Sequence, residues 1–176
     1  MGGRMIMSTA LLCLASNIYF EARSEPIAGQ IAVAEVTLNR VNSQDYPNNI
    51  CEVVLQENED GCQFSWWCDG KSDQPKDMFS FLKAKAIAKM MIQDGDYISV
   101  VGDEVTHYHS ISVEPYWSEV FQKTQVIGDH VFYRKVISDP VPRPKNFAQL
   151  ICENEVSHVY TCLLYTSPSP RDRTRS

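Results

Sequence analysis

Asn17 and Glu21 lie four residues apart in the stretch NIYFEAR, so a helix places them on one face. Glu21 falls at the C-terminal end of that helix, where the helix dipole opposes a carboxylate, and Tyr19 and Phe20 stand beside it. Desolvation and dipole together raise the pKa of such a group. Glycoside cleavage demands a carboxylic acid that keeps its proton near neutral pH and passes it to the leaving oxygen. Taken alone, the stretch accommodates at least as well a solvated Glu21 paired with Arg23 or Arg40. Two further acids compete. Glu25 opens the next helix, where the dipole favours the ionised form and so a base or a structural role. Glu35 falls off the apolar stripe of that helix and is expected at the surface or in a cleft.

His107 and His109 alternate along one face of an expected strand, with Tyr108 on the other. With His130 they would make a three-histidine zinc site, the centre of a metal-dependent amidase or peptidase. No acidic residue stands beside them at a metalloprotease spacing, so the preferred expectation is that they bond sugar or hold a hairpin, with no metal and no cofactor. Trp66 and Trp67 sit in a long loop and suit either a sugar-facing surface, even a non-catalytic wall-binding module, or core packing.

The elements that must position these groups read as α-dominated α+β, helices first and a small sheet or hairpin late. A first helix is expected over Ser8–Arg23, capped by Ser8 or Thr9, with Leu11, Leu12, Ala15, Ile18 and Ala22 recurring at helical spacing. That periodicity outweighs a signal-peptide reading of Arg4 followed by Met5–Ala15. Pro26 starts a second helix whose stripe of Ile27, Ile31, Ala34, Leu38 and Val41 should face the core. Residues 42–75 lose the pattern, apart from a short ordered piece at Cys51–Gln56. A third helix is expected over Lys76–Asp94 with Phe79, Leu82, Ala86 and Met90 inward and Gly95 ending it. Short β pieces follow at Tyr97–Val101, Thr106–Ser110 and His130–Arg134, the last preceded by a Gly128-Asp129 turn.

The 176 residues suit one main domain, expected over residues 8–137, with a proline-rich extension over 138–161. Residues 162–176 contain CLLYTSPSPRD, which resembles a sequencing adapter translated in frame and is set aside as non-native. A formal net charge of −6 disfavours nucleic acid as a partner, and the basic tail makes the rest more acidic still. No apolar run reaches membrane-spanning length, so stable membrane insertion is not expected. Cys13 lies inside an apolar helix and reads as a free buried thiol. Cys51 with Cys62 or Cys68 offers a disulfide at even odds with free thiols.

The segments N17xxFEARxEP26, G29QxAVAxVxLNRV41, YP at 46, CxVV at 51, QFSW at 63, CDG at 68, THYH at 106 and HxFYR at 130 occur in order. This succession, covering about residues 11–135, resembles the SleB-type cell-wall hydrolases, which include spore-cortex-lytic enzymes and phage lysins. The resemblance implies a lysozyme-like fold, Glu21 as the catalytic acid, and peptidoglycan glycan strands as the substrate. It also implies lytic transglycosylase chemistry between N-acetylmuramic acid and N-acetylglucosamine, with a hydrolytic muramidase as the alternative. By motif position, Asn17, Gln63, Ser65, His107, Tyr108 and Tyr133 would line the groove. Ser24 stands where the family usually has glycine, a change that serine's capping ability makes mild. Asp69, the nearest candidate for a second carboxylate, reads first as a turn residue before Gly70. The expected setting is the cell wall, periplasm or spore cortex, reached by a monomer without a convincing signal peptide, as in release at lysis.

Overall fold

The structure, a computed structural model, describes residues 9–58, 61–94 and 97–136; the expected proline-rich extension, the adapter-like tail and Gly95 lie outside the described residues. Helix α1 spans Ala10–Ala22, with the Thr9 side chain accepting from the Leu12 amide as its cap. Helix α2 (Ile27–Asn42) and the short α3 (Ile50–Val54) follow. A two-residue ladder pairs β1 (Glu57–Asn58) with β2 (Gly61–Cys62). A 3₁₀ turn at Ser65–Trp67 leads towards α4 (Met78–Lys89), which widens into a π turn over Met90–Asp94. Strands β3 (Val105–Ser110), β4 (Gln122–Ile127) and β5 (His130–Arg134) form an antiparallel sheet in the order β3-β5-β4.

Helix α2 is the spine. The sequence stripe suggests one buried face, yet nearly every position from Gly29 to Arg40 is buried, whereas Ile27 is half exposed. A helix enclosed on all sides must satisfy its polar side chains internally. Gln30 donates to the Glu25 carbonyl (2.9 Å), and Asn39 donates to the carbonyls of Gly102 (2.8 Å) and Val105 (2.9 Å). Arg40 Nε donates to the Thr106 carbonyl (2.7 Å), so α2 fixes where β3 begins.

Glu35 is neither at the surface nor in a cleft. Its carboxylate is buried and accepts from the amides of Val100 (2.8 Å), Val101 (3.1 Å) and Gly102 (3.3 Å) and from the Ser99 hydroxyl. Those bonds explain why the expected strand at Tyr97–Val101 does not form: a side chain has taken the amides a sheet neighbour would need. The third strand of the sheet forms elsewhere: β4, which the sequence did not suggest, is polar and largely exposed, without the apolar alternation that marks a strand.

The inward face of α4 also differs from expectation. Phe79, Leu82 and Ala86 are exposed, while Ala84, Ile87, Ala88 and Met91 pack with Leu14, Ala15 and Ile18 of α1. Alanines at the contact let the two helices approach closely, and the alternation of alanine and lysine offers two competing stripes. Among the described residues all four cysteines are paired, Cys13 with Cys51 and Cys62 with Cys68. Cys13 is therefore not a free thiol: α3 packs on α1 and brings the two Cα atoms to 5.2 Å.

Candidate active site

Glu21 ends α1 at a cleft of about 670 Å³. The remaining walls come from Arg40 of α2, the segment Gly61–Ser65, His107 and Tyr108 of β3, and Tyr116 and Trp117 of the following turn. Burial pushes the Glu21 carboxyl above the ordinary carboxylate range, while a hydrogen bond from Tyr108 and the charge of Arg40 pull more weakly the other way. Desolvation of the half-buried Tyr108 drives its phenol far upward and keeps it protonated. Its hydroxyl donates to Glu21 Oε2 at 2.9 Å, so a proton held by this carboxyl belongs on Oε1.

Arg40 is the charged floor of this cleft. Its guanidinium lies 5.3 Å from the Tyr46 ring centroid and 5.1 Å from that of Phe64, and Nη1 is buried with no protein partner. Burial lowers its pKa, but a guanidinium stays charged throughout the physiological range. His107 is pushed down to about 4, first by burial and then by Arg40 and Lys135, so its ring is neutral at pH 7. Its nitrogens lie 2.9 Å from Thr106 Oγ1 and 3.4 Å from the Tyr46 hydroxyl, and its ring packs against Trp117 and Phe121.

Of the groove residues expected from motif position, Gln63, Ser65, His107 and Tyr108 line the cleft with Glu21. Asn17 does not. It is fully buried, donating to Thr37 Oγ1 (3.1 Å) and accepting from Trp66 Nε1 (3.0 Å), so it ties α1 to α2 and to the tryptophan turn. Asn17→Leu should therefore cost about 2 kcal/mol, chiefly by orphaning the buried Trp66 Nε1, since Thr37 keeps its bond to the Val33 carbonyl. Urea unfolding measures this, and a sugar-contacting Asn17 would instead leave the midpoint unchanged and raise KM. Tyr133 is likewise buried away from the cleft, its hydroxyl 2.9 Å from His109 Nε2 across the β3–β5 pair.

The histidine trio does not form a metal centre. His109 is held by the Ser110 carbonyl and Tyr133, His107 turns to Tyr46 and Thr106, and His130 Nδ1 lies 3.8 Å from Glu25 Oε1. Among the described residues, only Glu57, Cys62 and Cys68 bring three potential ligand atoms within 4.8 Å, and both of those cysteines are in a disulfide. Glu25 has the structural role. It accepts from the Asp129 amide (3.0 Å), and Gly128, at φ +58°, makes room for it, since a Cβ there would stand 1.8 Å from Glu25 Oε2.

Trp66 is buried, stacked on Phe20 at 4.7 Å, and Trp67 Nε1 donates to Glu57, so this pair packs rather than presenting an open sugar platform. Sequence reading missed Arg40 as a site residue, along with Tyr116 and Trp117. The aromatic pair after Pro115 was the available signal for the latter two. A second cavity of about 400 Å³ shares Glu21 and Ser65 with the cleft, so the acid stands where two depressions meet. Asp69 lines this second cavity, and its carboxylate accepts from the Lys71 amide at 2.8 Å in the expected turn, which lowers its pKa.

Residues 24–133 match the cell wall hydrolase family, a span that begins just after Glu21. A spore cortex-lytic enzyme of Bacillus cereus is 28% identical over 120 residues, which is 68% of this chain and 42% of that protein. One from Halalkalibacterium halodurans is 49% identical over 43 residues, 24% of this chain and 13% of that protein. The chain thus spans less than half the length of these curated relatives. The catalytic domain of the germination-specific lytic transglycosylase SleB from Bacillus anthracis superposes with a TM-score of 0.56 at 26% identity, covering 74% of this chain and 99% of that domain. The Bacillus cereus SleB catalytic domain gives 0.54 at 26% identity, covering 75% and 93%. The α-dominated α+β architecture is accordingly of the lysozyme-like type, and the chain belongs to the cell wall hydrolase family.

Proposed function

We propose that this protein cleaves peptidoglycan glycan strands between N-acetylmuramic acid and N-acetylglucosamine as a lytic transglycosylase, with Glu21 as acid and then base. The observation that carries the reading is a carboxyl whose burial raises its pKa, the only one among the described residues lining the main cleft, with Tyr108 donating to one oxygen. Glu21 Oε1 passes its proton to the glycosidic oxygen as the bond from that oxygen to the muramoyl anomeric carbon breaks. The resulting carboxylate, beside the Arg40 cation, takes the proton of the muramoyl 6-hydroxyl as that oxygen bonds the anomeric carbon. The product is a 1,6-anhydromuramoyl end, no water is consumed, and Glu21 is protonated again.

The kinship with a spore cortex-lytic enzyme and with a germination-specific lytic transglycosylase supports this reading. The hydrolytic alternative requires a second carboxylate. Asp69 is the one available in the adjoining cavity, where the Lys71 amide and ammonium hold it in a turn. Mass spectrometry of the fragments released from purified sacculi distinguishes the two. Muropeptides one water lighter than the hydrolysed species are expected, and a digest made only of hydrolysed species would overturn the transglycosylase reading.

A further inference from the structure

The second cavity differs from the main cleft in its chemistry. The cleft is walled by aromatic rings and neutral polar groups around the recessed Arg40, which suits sugar faces and hydroxyls. The second cavity carries Arg23, Lys71 and Lys76 against the carboxyls of Asp69 and Glu21, the latter shared with the cleft, in a chain whose net charge is −6. These cations come from two places, the end of α1 and the segment after the tryptophan turn, and the fold fixes both. Arg23 lies over the Tyr19 ring at 5.0 Å, and the Tyr19 hydroxyl accepts from the amides of Lys76 (3.1 Å) and Asp77 (3.0 Å). Tyr19 thereby draws Arg23 and Lys76 to the same rim. Lys71 pairs with Asp69 at 3.3 Å but is mostly exposed, so its ammonium can turn to an incoming anion.

We infer that this cavity is an anion-accepting subsite that seats a carboxylate carried by the muramoyl residue at the scissile bond. The inference rests on the glycan-cleaving function proposed above. The sugar rings of the substrate are uncharged, and its negative charge resides on the stem peptide or, where that peptide has been removed, on the freed lactyl carboxylate. A strand whose scissile bond lies at Glu21 places one lactyl-bearing sugar directly against the acid. Because the two depressions meet at Glu21 and Ser65, a strand threaded through the cleft brings that substituent to the cationic rim. The rim then selects charged strands and steers them by long-range attraction, an effect that salt screens.

Three preparations of glycan strand test this: intact strands, strands stripped by an amidase so that the lactyl carboxylate is free, and stripped strands whose carboxylates have been converted to methylamides. The wild-type chain should show a higher kcat/KM on the charged strands than on the neutral ones. The triple variant Arg23→Gln, Lys71→Gln, Lys76→Gln should reduce that ratio about three- to tenfold. A control triple, Lys83→Gln, Lys89→Gln, Lys123→Gln, removes the same charge outside both cavities and should leave the ratio near the wild-type value. A loss confined to intact strands names the stem peptide as the anion, and a loss that persists on stripped strands names the lactyl carboxylate. Equal losses in both triples, or none in either, overturn the subsite while glycan cleavage stands. A wild-type chain that cleaves none of the three preparations removes the proposed function, and the subsite with it.

Discussion

Glu21→Gln should reduce the release of soluble fragments from purified peptidoglycan by about a thousandfold or more while leaving the protein folded. A positioned general acid is worth about 10²–10⁴ in rate, and a residue that both gives and takes the proton belongs near the upper end. Glutamine has nearly the same shape and its carbonyl can still accept from the Tyr108 hydroxyl, so the contact that orients the side chain survives. Thermal unfolding should therefore match the wild type, because burial already disfavours charge on the carboxyl that the neutral amide replaces. A folded Glu21→Gln protein with full activity would remove Glu21 from the mechanism.

The second large effect concerns Arg40. Its charge lowers the pKa that burial raises at Glu21, so Arg40→Gln should let the Glu21 pKa rise further. The acid must be protonated at the start of the reaction, and its ionisation sets the basic limb of the kcat/KM profile. That limb should move to higher pH in Arg40→Gln and return towards the wild-type position in Arg40→Lys, which restores charge without the planar fork. At neutral pH the rate of Arg40→Gln should fall about a hundredfold, since the carboxylate formed midway loses its adjacent cation. Dye release from labelled sacculi across the pH range measures both, and an unshifted basic limb would show that Arg40 acts only through packing. Its bond to the Thr106 carbonyl means that stability will fall as well, by about 2 kcal/mol.

The position of Glu21 in the cleft was legible because a helix end, aromatic neighbours and an ordered run of motifs all converge on one residue. Gln63, Ser65, His107 and Tyr108 were reached through those motifs, and the cleft gathers them. Asn17 shows the limit of spacing arguments. It does share a helix with Glu21, but the face between them turns inward, and a short motif cannot distinguish a residue that holds the site from one that lines it. Arg40 was hidden for the opposite reason. An arginine in an amphipathic pattern reads as solvated, and only the enclosure of α2 on all sides turns it inward. The same enclosure conceals Glu35, whose partners lie more than sixty residues away in a loop with strand-like composition. The face of α4 was misread because alanine-rich contacts carry a weaker hydrophobic signal than the exposed Phe79 and Leu82.

The link between Cys13 and Cys51 closes a 38-residue separation across the helix that carries Glu21. Chain-entropy reasoning assigns such a closure about 4 kcal/mol, a large share of the net stability of a domain of this size. That contribution exists only where thiols oxidise. A newly made chain in a reducing cytoplasm lacks this reinforcement and acquires it only in an oxidising compartment. The fold that carries Glu21 is thus sturdier in an oxidising compartment than in a reducing one, a difference set by two sulfur atoms.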